Sequence, residues 1–525
     1  MSSRSNTDLS YPYSPLISES EDESADSDRR RGKRNRPVYF SDERRRRSGR
    51  IREPDVDLFS ALPDSLLVHV LSFLPIVDAI KTQVFSKRWQ YLWTHMTSLV
   101  FRRNDSPEKS VDKFVAFVDK TLGLCNCSKI KKFGVKFVYE PEYDPNVELW
   151  TQFATAKGVE EFQLDFYDLS GGWEGDCLLP QLLYTNSSFK ALQFQQCNVM
   201  PNGVVRWNSL KKLLIGCAEL SEDVIQNILA GCPVLEILEL YGFHGFNRLH
   251  ISNASVKKLI LRNGYDEVEV REEYQIGGGY HCLLEISAPH LHSLEILDNL
   301  RDKICRLGDV SSLVDAKLNF FVMQSWGPDY YYEMCENMLK GLLQSLVHVK
   351  KITLGSWAIE VLSIMEFKGL RSPLLKCECL TLNTTGIWKS SLPGIAHMLE
   401  SSPHLETLVI SMLSYTCGEH FGDKLRNFDV KNYWTSRKKP FTCLTFHLQK
   451  VNFIGFGQYK FGYYLSFVRF LLKNARVLQK MVINAQMVGS NRQKKFSRAA
   501  QKLLSFPRSS PNAVVLFYEE NGQLK

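Results

Sequence analysis

Apolar residues recur along most of this chain as a six-residue unit, apolar-x-x-apolar-x-apolar, in many places roughly 21 to 30 residues apart. The strictest copies are Ile130-Lys-Lys-Phe133-Gly-Val135, Val159-Glu-Glu-Phe162-Gln-Leu164, Phe189-Lys-Ala-Leu192-Gln-Phe194, Leu210-Lys-Lys-Leu213-Leu-Ile215 and Leu235-Glu-Ile-Leu238-Glu-Leu240. Looser copies follow at Val256 to Leu261, Leu291 to Ile296, Leu313 to Leu318, Val349 to Leu354, Cys377 to Leu382, Leu405 to Ile410, Leu448 to Phe453 and Leu478 to Ile483. Alternation at the end of each unit suits a short strand with one buried face. Between units the chain offers helical returns. One is Ser221 to Leu229, capped by Ser221 or Glu222-Asp223 and closed by Gly231-Cys232-Pro233, and another is Gly394 to Leu399, closed by Ser402-Pro403. Strand plus return at this period predicts an α/β leucine-rich-repeat solenoid whose strands stack into a curved parallel sheet.

Ahead of the repeats, from Asp57, the spacing becomes helical: Leu62, Leu66, Leu67, Val70, Leu71 and Leu74 share one broad face. Pro63 suits the first turn and Pro75 ends the run. Asp78 is expected to cap a second short helix through Val84, and Ser86 a third carrying Trp89, Leu92 and Trp93. A bundle this small has little core of its own, so its apolar face calls for a partner.

The same stretch, LPDSLLVHVLSFLP (Leu62 to Pro75) followed by VFSKRWQYLW (Val84 to Trp93), resembles the F-box of plant F-box proteins. The repeats resemble the leucine-rich repeats found behind such boxes, as in GCPVLEILEL (Gly231 to Leu240) and SSPHLETLVI (Ser401 to Ile410). CLTFHLQKVNFIGF (Cys443 to Phe456), FLLKNARVLQKMVI (Phe470 to Ile483) and LLSFPRSSPNAVVLF (Leu503 to Phe517) resemble the FBD region that closes the plant F-box/FBD/LRR family. The resemblance divides the chain into a charged tail (1–53), an F-box (54–103), repeats (125–435) and FBD-like terminal repeats (436–518). It implies a subunit of a ubiquitin ligase that chooses the substrate and performs no ubiquitin chemistry. Its F-box would bind a Skp-type adaptor, and through it cullin and a RING subunit, while its solenoid holds a target protein. Carried over by motif, Leu62, Pro63, Leu66, Val70, Leu71, Leu74, Pro75, Ala79, Val84, Ser86, Trp89 and Trp93 would build or contact the adaptor surface. The chain departs from the family pattern at Leu58 and at Ile76-Val77. A leucine-rich-repeat scaffold that does not recruit cullin is the competing reading.

Composition changes this picture little. The chain has 525 residues, 44% hydrophobic and 23% charged, with a net charge of +8. These are ordinary values for a folded chain and name no partner class. The start lacks an apolar leader segment and no run is long enough to span a bilayer, so a reducing interior with free thiols is expected for the 13 cysteines. Cys125/Cys127 and Cys377/Cys379 lack the partners of a zinc site, and no metal or cofactor is expected. No phosphate loop, nucleophile elbow or zinc-protease helix appears, and Gly277-Gly278-Gly279 lacks a strand-then-helix context. His290 and His292 have no third ligand beside them. In the tail, an acidic serine-rich block runs into Arg29-Arg30-Arg31-Gly32-Lys33-Arg34, a pattern suited to nuclear import more than to nucleic-acid binding. A nuclear or cytoplasmic location is expected. Trp326, Tyr330, Tyr331 and Tyr332 fall in a wide gap between units that reads as an inserted loop on one face, where these aromatics either serve target recognition or pack as repeat core.

Overall fold

The computed structural model describes residues 62–103, 110–167, 177–263, 283–300, 303–322, 328–384, 391–412, 433–434, 440–456, 461–485 and 492–519. Among the described residues twenty strands, numbered in chain order, form three parallel sheets. The main sheet has fifteen: β1 (Ser98–Arg102), β2 (Lys132–Val138), β3 (Glu161–Tyr167), β5 (Ala191–Gln195), β7 (Lys212–Gly216), β8 (Ile237–Tyr241), β10 (Lys258–Asn263), β12 (Ser293–Asn299), β14 (Asp315–Phe321), β15 (Lys351–Leu354), β16 (Cys379–Asn383), β17 (Thr407–Ser411), β18 (Lys450–Phe456), β19 (Lys480–Ala485) and β20 (Val514–Glu519). Each pairs with the next in that order, as expected when every repeat packs only on its neighbours. Shorter strands on the returns make a second rail of three, β9 (Arg248–His250), β11 (Leu283–Ser287) and β13 (Ile304–Leu307). A third sheet pairs β4 (Cys177–Leu178) with β6 (Cys197–Asn198).

All thirteen units read from the sequence end in strands of the main sheet. The sheet has two further rungs. β1 fits the same rule, with Met96, Leu99 and Phe101 buried, but it sits against the helical bundle and so lay hidden at its border. At β20 the first apolar position is a buried serine, Ser510, followed by Ala513 and Val515.

Register stacks like on like. Leu213, Leu238, Leu259 and Leu294 occupy one height across four strands, all buried. In the first rungs the same heights carry rings: Phe133 stacks on Phe162 with centroids 5.7 Å apart, and Phe137 meets Phe166 edge-on at 5.3 Å. The chain leaves three successive strands through a left-handed residue, Gln196, Cys217 and Gly242, at φ 51°, 49° and 55°. Each donates its N–H to the next rung: Gln196 to Gly216, Cys217 to Tyr241 and Gly242 to Arg262. The strain of αL at two non-glycine residues is thereby offset by a hydrogen bond per rung.

Helical returns cover the other side, beginning with α3 (Val111–Gly123) and α4 (Asp144–Ala156). α5 (Glu222–Ala230) starts where the sequence places it, the Ser221 hydroxyl accepting from Val224 N at 3.2 Å. Gly231 just beyond it is obligatory for packing, since a Cβ there would lie 2.4 Å from Val205 O. α6 (Pro328–Ser345) corrects one expectation. The wide gap before β15 is a helical return of 18 residues, not a loop.

Candidate functional site

Two surfaces carry candidate function, the helical bundle and the open face of the sheet. In the bundle, α1 (Asp64–Leu71) begins after Pro63, and α2 (Ile76–Lys81) begins after Pro75. Two sequence expectations shift here. Asp78 lies inside the first turn of α2 and does not cap it, and the Trp89 segment is a 3₁₀ helix (Trp89–His95) entered from Arg88, not an α-helix capped by Ser86. Leu67 and Leu71 of α1, Ile76, Val77 and Ala79 of α2, and Leu92 and Trp93 are all buried. The Ile76-Val77 departure from the family pattern therefore supplies core.

Burial sorts the candidate adaptor residues. Leu71, Ala79 and Trp93 are inside and can only support the surface. Leu62 and Trp89 are half-buried, while Pro63, Leu66, Val70, Leu74, Pro75, Val84 and Ser86 face solvent. Three exposed aromatics join them that the motif comparison missed: Phe73 (75% exposed), Phe85 (69%) and Tyr91 (63%). The signal was present for one: Leu66, Val70 and Phe73 follow i, i+4, i+7, a second apolar stripe beside the buried one. His69 meets the Phe73 ring edge-on at 4.9 Å, and Trp89 meets Phe85 at 5.8 Å, so both rings are held outward.

Successive rungs of the main sheet are cross-linked by charge, as far as Lys350 and Glu378, 3.1 Å apart just ahead of β15 and β16. Glu160 accepts from Lys129 and Lys190, both at 2.9 Å, and these bonds hold its carboxyl down to about 2. Lys136 bonds Asp165 at 2.8 Å, Arg262 sits 3.5 Å from Glu239, and Glu295 lies between Lys258 and Lys317. From β16 the matching central positions are uncharged: Thr381, Val409, Asn452, Val482 and Leu516.

The expected aromatic recognition patch is corrected. Tyr331 and Tyr332 belong to the core (1% and 8% exposed), and Tyr331 Oη donates to Val322 O at 2.7 Å. They point inward because α6 is an ordinary return packed against β13 of the second rail and against α7, so its apolar stripe is core. Trp326 and Gly277 to Gly279 lie outside the described residues, as do Arg29, Arg30, Arg31, Lys33 and Arg34 of the tail. Tyr330 lies in the first turn of α6.

A pocket of about 220 Å³ opens between the end of α7 (Ser356–Phe367) and α8 (Leu392–Ser401). Its buried His397 places Nδ1 3.1 Å from Glu366 and Nε2 2.8 Å from the Ser372 hydroxyl, pinning the Gly369 to Leu374 loop to α8. Cys127 and Cys377 are buried, with thiols pushed up by burial to about 11 and about 12. His290 and His292 are exposed in the turn before β12. Among the described residues no group of three or more His, Cys, Asp or Glu could hold a metal ion, and no helix is long and apolar enough to cross a membrane.

A parallel strand-and-return solenoid with an apolar-faced helical bundle at its head defines a protein-interaction module. Family models agree in each part: one described as F-box domain matches residues 59–101, one described as FBD-associated F-box protein At5g56370, LRR repeats, matches 147–314, and one described as FBD matches 436–483. The putative F-box/LRR-repeat protein At3g18150 of Arabidopsis thaliana is 32% identical over 441 residues, 82% of this chain and 86% of the relative. The F-box/LRR-repeat protein At3g03360 from the same plant is 28% identical over 484 residues, covering 88% and 90%. The putative F-box/LRR-repeat protein At5g02930, also of Arabidopsis thaliana, is 31% identical over 388 residues, covering 72% and 76%. The chain belongs to the F-box/LRR-repeat protein family, and its F-box and repeats give it a protein-interaction role.

Proposed function

We propose that this chain is the substrate-recognition subunit of a Skp–cullin–F-box ubiquitin ligase. The F-box docks a Skp-type adaptor, which brings cullin and the RING subunit, and the solenoid holds a target protein for ubiquitination. One observation carries this reading: Leu66, Val70, Phe73, Leu74, Val84, Phe85 and Tyr91, each at least 40% exposed, fall within one small bundle. Apolar residues so concentrated in sequence on one small unit call for a partner. The ligase chemistry belongs to the other subunits, and the chain contributes binding alone. The basic run Arg29 to Arg34 addresses the complex to the nucleus.

The test is co-purification of the full chain with a recombinant plant Skp-type adaptor, beside a Val70→Glu/Phe73→Ser double variant. Both substituted residues are exposed, so thermal melting should be unchanged while adaptor binding is lost. A folded wild-type chain that fails to retain the adaptor defeats the proposal.

A further inference from the structure

The net charge of +8 conceals a local asymmetry. Between Asp429 and Glu519 the chain carries sixteen lysines and arginines and neither aspartate nor glutamate, so the remaining residues together are net negative. Earlier repeats neutralise their lysines against carboxylates, as in Lys129–Glu160–Lys190, Lys258–Glu295–Lys317 and Lys350–Glu378. The terminal repeats have no carboxylate of their own with which to do so.

The folded chain gathers part of this charge on the returns that close the solenoid. The helix Phe461–Asn474 packs against the helix Arg492–Leu504. Ser509 ties the segment that follows to the first of these helices, its N–H donating to Leu472 O at 2.9 Å and its hydroxyl to Lys473 O. Arg469 lies over the Phe506 ring, its guanidinium carbon 6.0 Å from the centroid, and Arg508 Nη1 donates to Ala513 O at 2.8 Å. Arg469, Lys473, Arg476, Arg498, Lys502 and Arg508 are all exposed, and among the described residues none of the six makes an ion pair. Lys473 and Lys502 suit the last turns of their helices, where the backbone dipole favours a cation. Arg469 and Arg498, four residues earlier on the same faces, add like-charge repulsion that folding alone does not call for.

We infer that these terminal returns are a docking face for an acidic segment of the target protein, a carboxylate-rich stretch that crosses from one helix to the other. Guanidinium and ammonium groups without a carboxylate partner recognise anions, and arginine takes carboxylates in bidentate fashion. Packed helices lie about 10 Å apart, so an extended segment of about six residues, at about 3.3 Å each, reaches across both. The net-negative remainder selects a short acidic segment over a long polyanion. Nucleic acid or an anionic bilayer extending past the terminal repeats would meet rungs whose lysines are already paired with carboxylates, whereas a segment confined to the returns meets the unpaired cations. This deepens the receptor reading, and rests on it only in calling the partner a target.

The probe is fluorescein-labelled octaglutamate, titrated with the purified full chain at low ionic strength and read by fluorescence anisotropy, beside neutral octaglutamine. Octaglutamate should bind and octaglutamine should not, and added salt should weaken the complex. Binding should fall at least tenfold in the quadruple variant Arg469→Gln/Lys473→Gln/Arg498→Gln/Lys502→Gln. Arg498→Gln/Lys502→Gln, confined to exposed side chains of one helix, should weaken it several-fold and decides the matter if the quadruple variant fails to fold. Lys131→Gln/Lys212→Gln/Lys257→Gln/Lys340→Gln removes the same charge from exposed positions in earlier repeats and should leave binding intact. No binding of octaglutamate overturns the inference, as does binding undiminished in either folded terminal variant or lost equally in the earlier-repeat variant. A short DNA duplex or a phosphatidylserine vesicle that binds the chain more tightly than octaglutamate, and is released by the quadruple variant, assigns the face to that polyanion and also overturns it. Adaptor co-purification in the same preparations keeps the two readings apart, since loss of adaptor binding with octaglutamate binding retained sinks only the ligase.

Discussion

Arg88 reaches back to Asp64, its Nε 2.7 Å from Oδ1, and the same guanidinium donates to the carbonyl of Leu62. The 3₁₀ segment thereby holds the first turn of α1 and the Leu62-Pro63 corner in place. The pair is exposed enough that it adds little to global stability, typically about 0 to 1 kcal/mol. Its effect is local. In Arg88→Ala the melting temperature should hardly move, while adaptor affinity falls several-fold by titration calorimetry. Unchanged affinity would show that the Leu62-Pro63 corner is not part of the contact.

Gly394 of α8 lies against α7, and a Cβ built there would sit 2.1 Å from Ile359 O. Its N–H donates to the Ser363 hydroxyl at 2.8 Å, which itself donates to Ile359 O. Alanine is the better helix former, so helix propensity alone predicts stabilisation. Packing decides otherwise: Gly394→Ala should lower stability by about 1 to 3 kcal/mol in urea unfolding, through overpacking of the α7–α8 contact.

Removing the Tyr331 hydroxyl leaves the carbonyl of Val322 without that donor inside the core. Tyr331→Phe should cost about 1 to 2 kcal/mol of stability, with binding of any partner protein unaltered. A loss of partner binding at unchanged stability would return this residue to the recognition surface.

The carboxyl of Glu160, held down to about 2 by hydrogen bonds from Lys129 and Lys190, lies below its ordinary 4.5. Stability from a depressed carboxylate is fully present above the unfolded value and disappears as pH falls through the folded one. The difference in urea midpoint between wild type and Glu160→Gln should therefore be largest at pH 6 and shrink progressively below about pH 4.5. A difference independent of pH would mean that the ion pairs contribute nothing.

Burial pushes the thiols of Cys232, Cys305, Cys335, Cys377 and Cys443 up to about 12. The native chain at pH 8 should leave these five unmodified by a chromogenic disulfide reagent, and denaturant should expose them at once. Fast modification of any of the five in the native state would mark a local opening of its repeat.

The sequence carried the repeat architecture because each strand meets the core through three apolar residues at fixed spacing. That spacing survives Phe133 replacing leucine in one rung and Cys377 in another. It likewise carried the F-box, whose motif is contiguous, and the Ser221 cap, which is local. What it left undetermined depends on neighbours distant along the chain. Leu71 and Leu74 look alike in a helical pattern, yet only Leu71 is enclosed, because α1 ends at Leu71, packed against the 3₁₀ segment, and Leu74 lies beyond its end. Tyr331 reads as a loop aromatic in the sequence, but α6 is a return packed against β13 and α7. Periodicity determines which residues face a core, and the fold decides which of those faces is left without one.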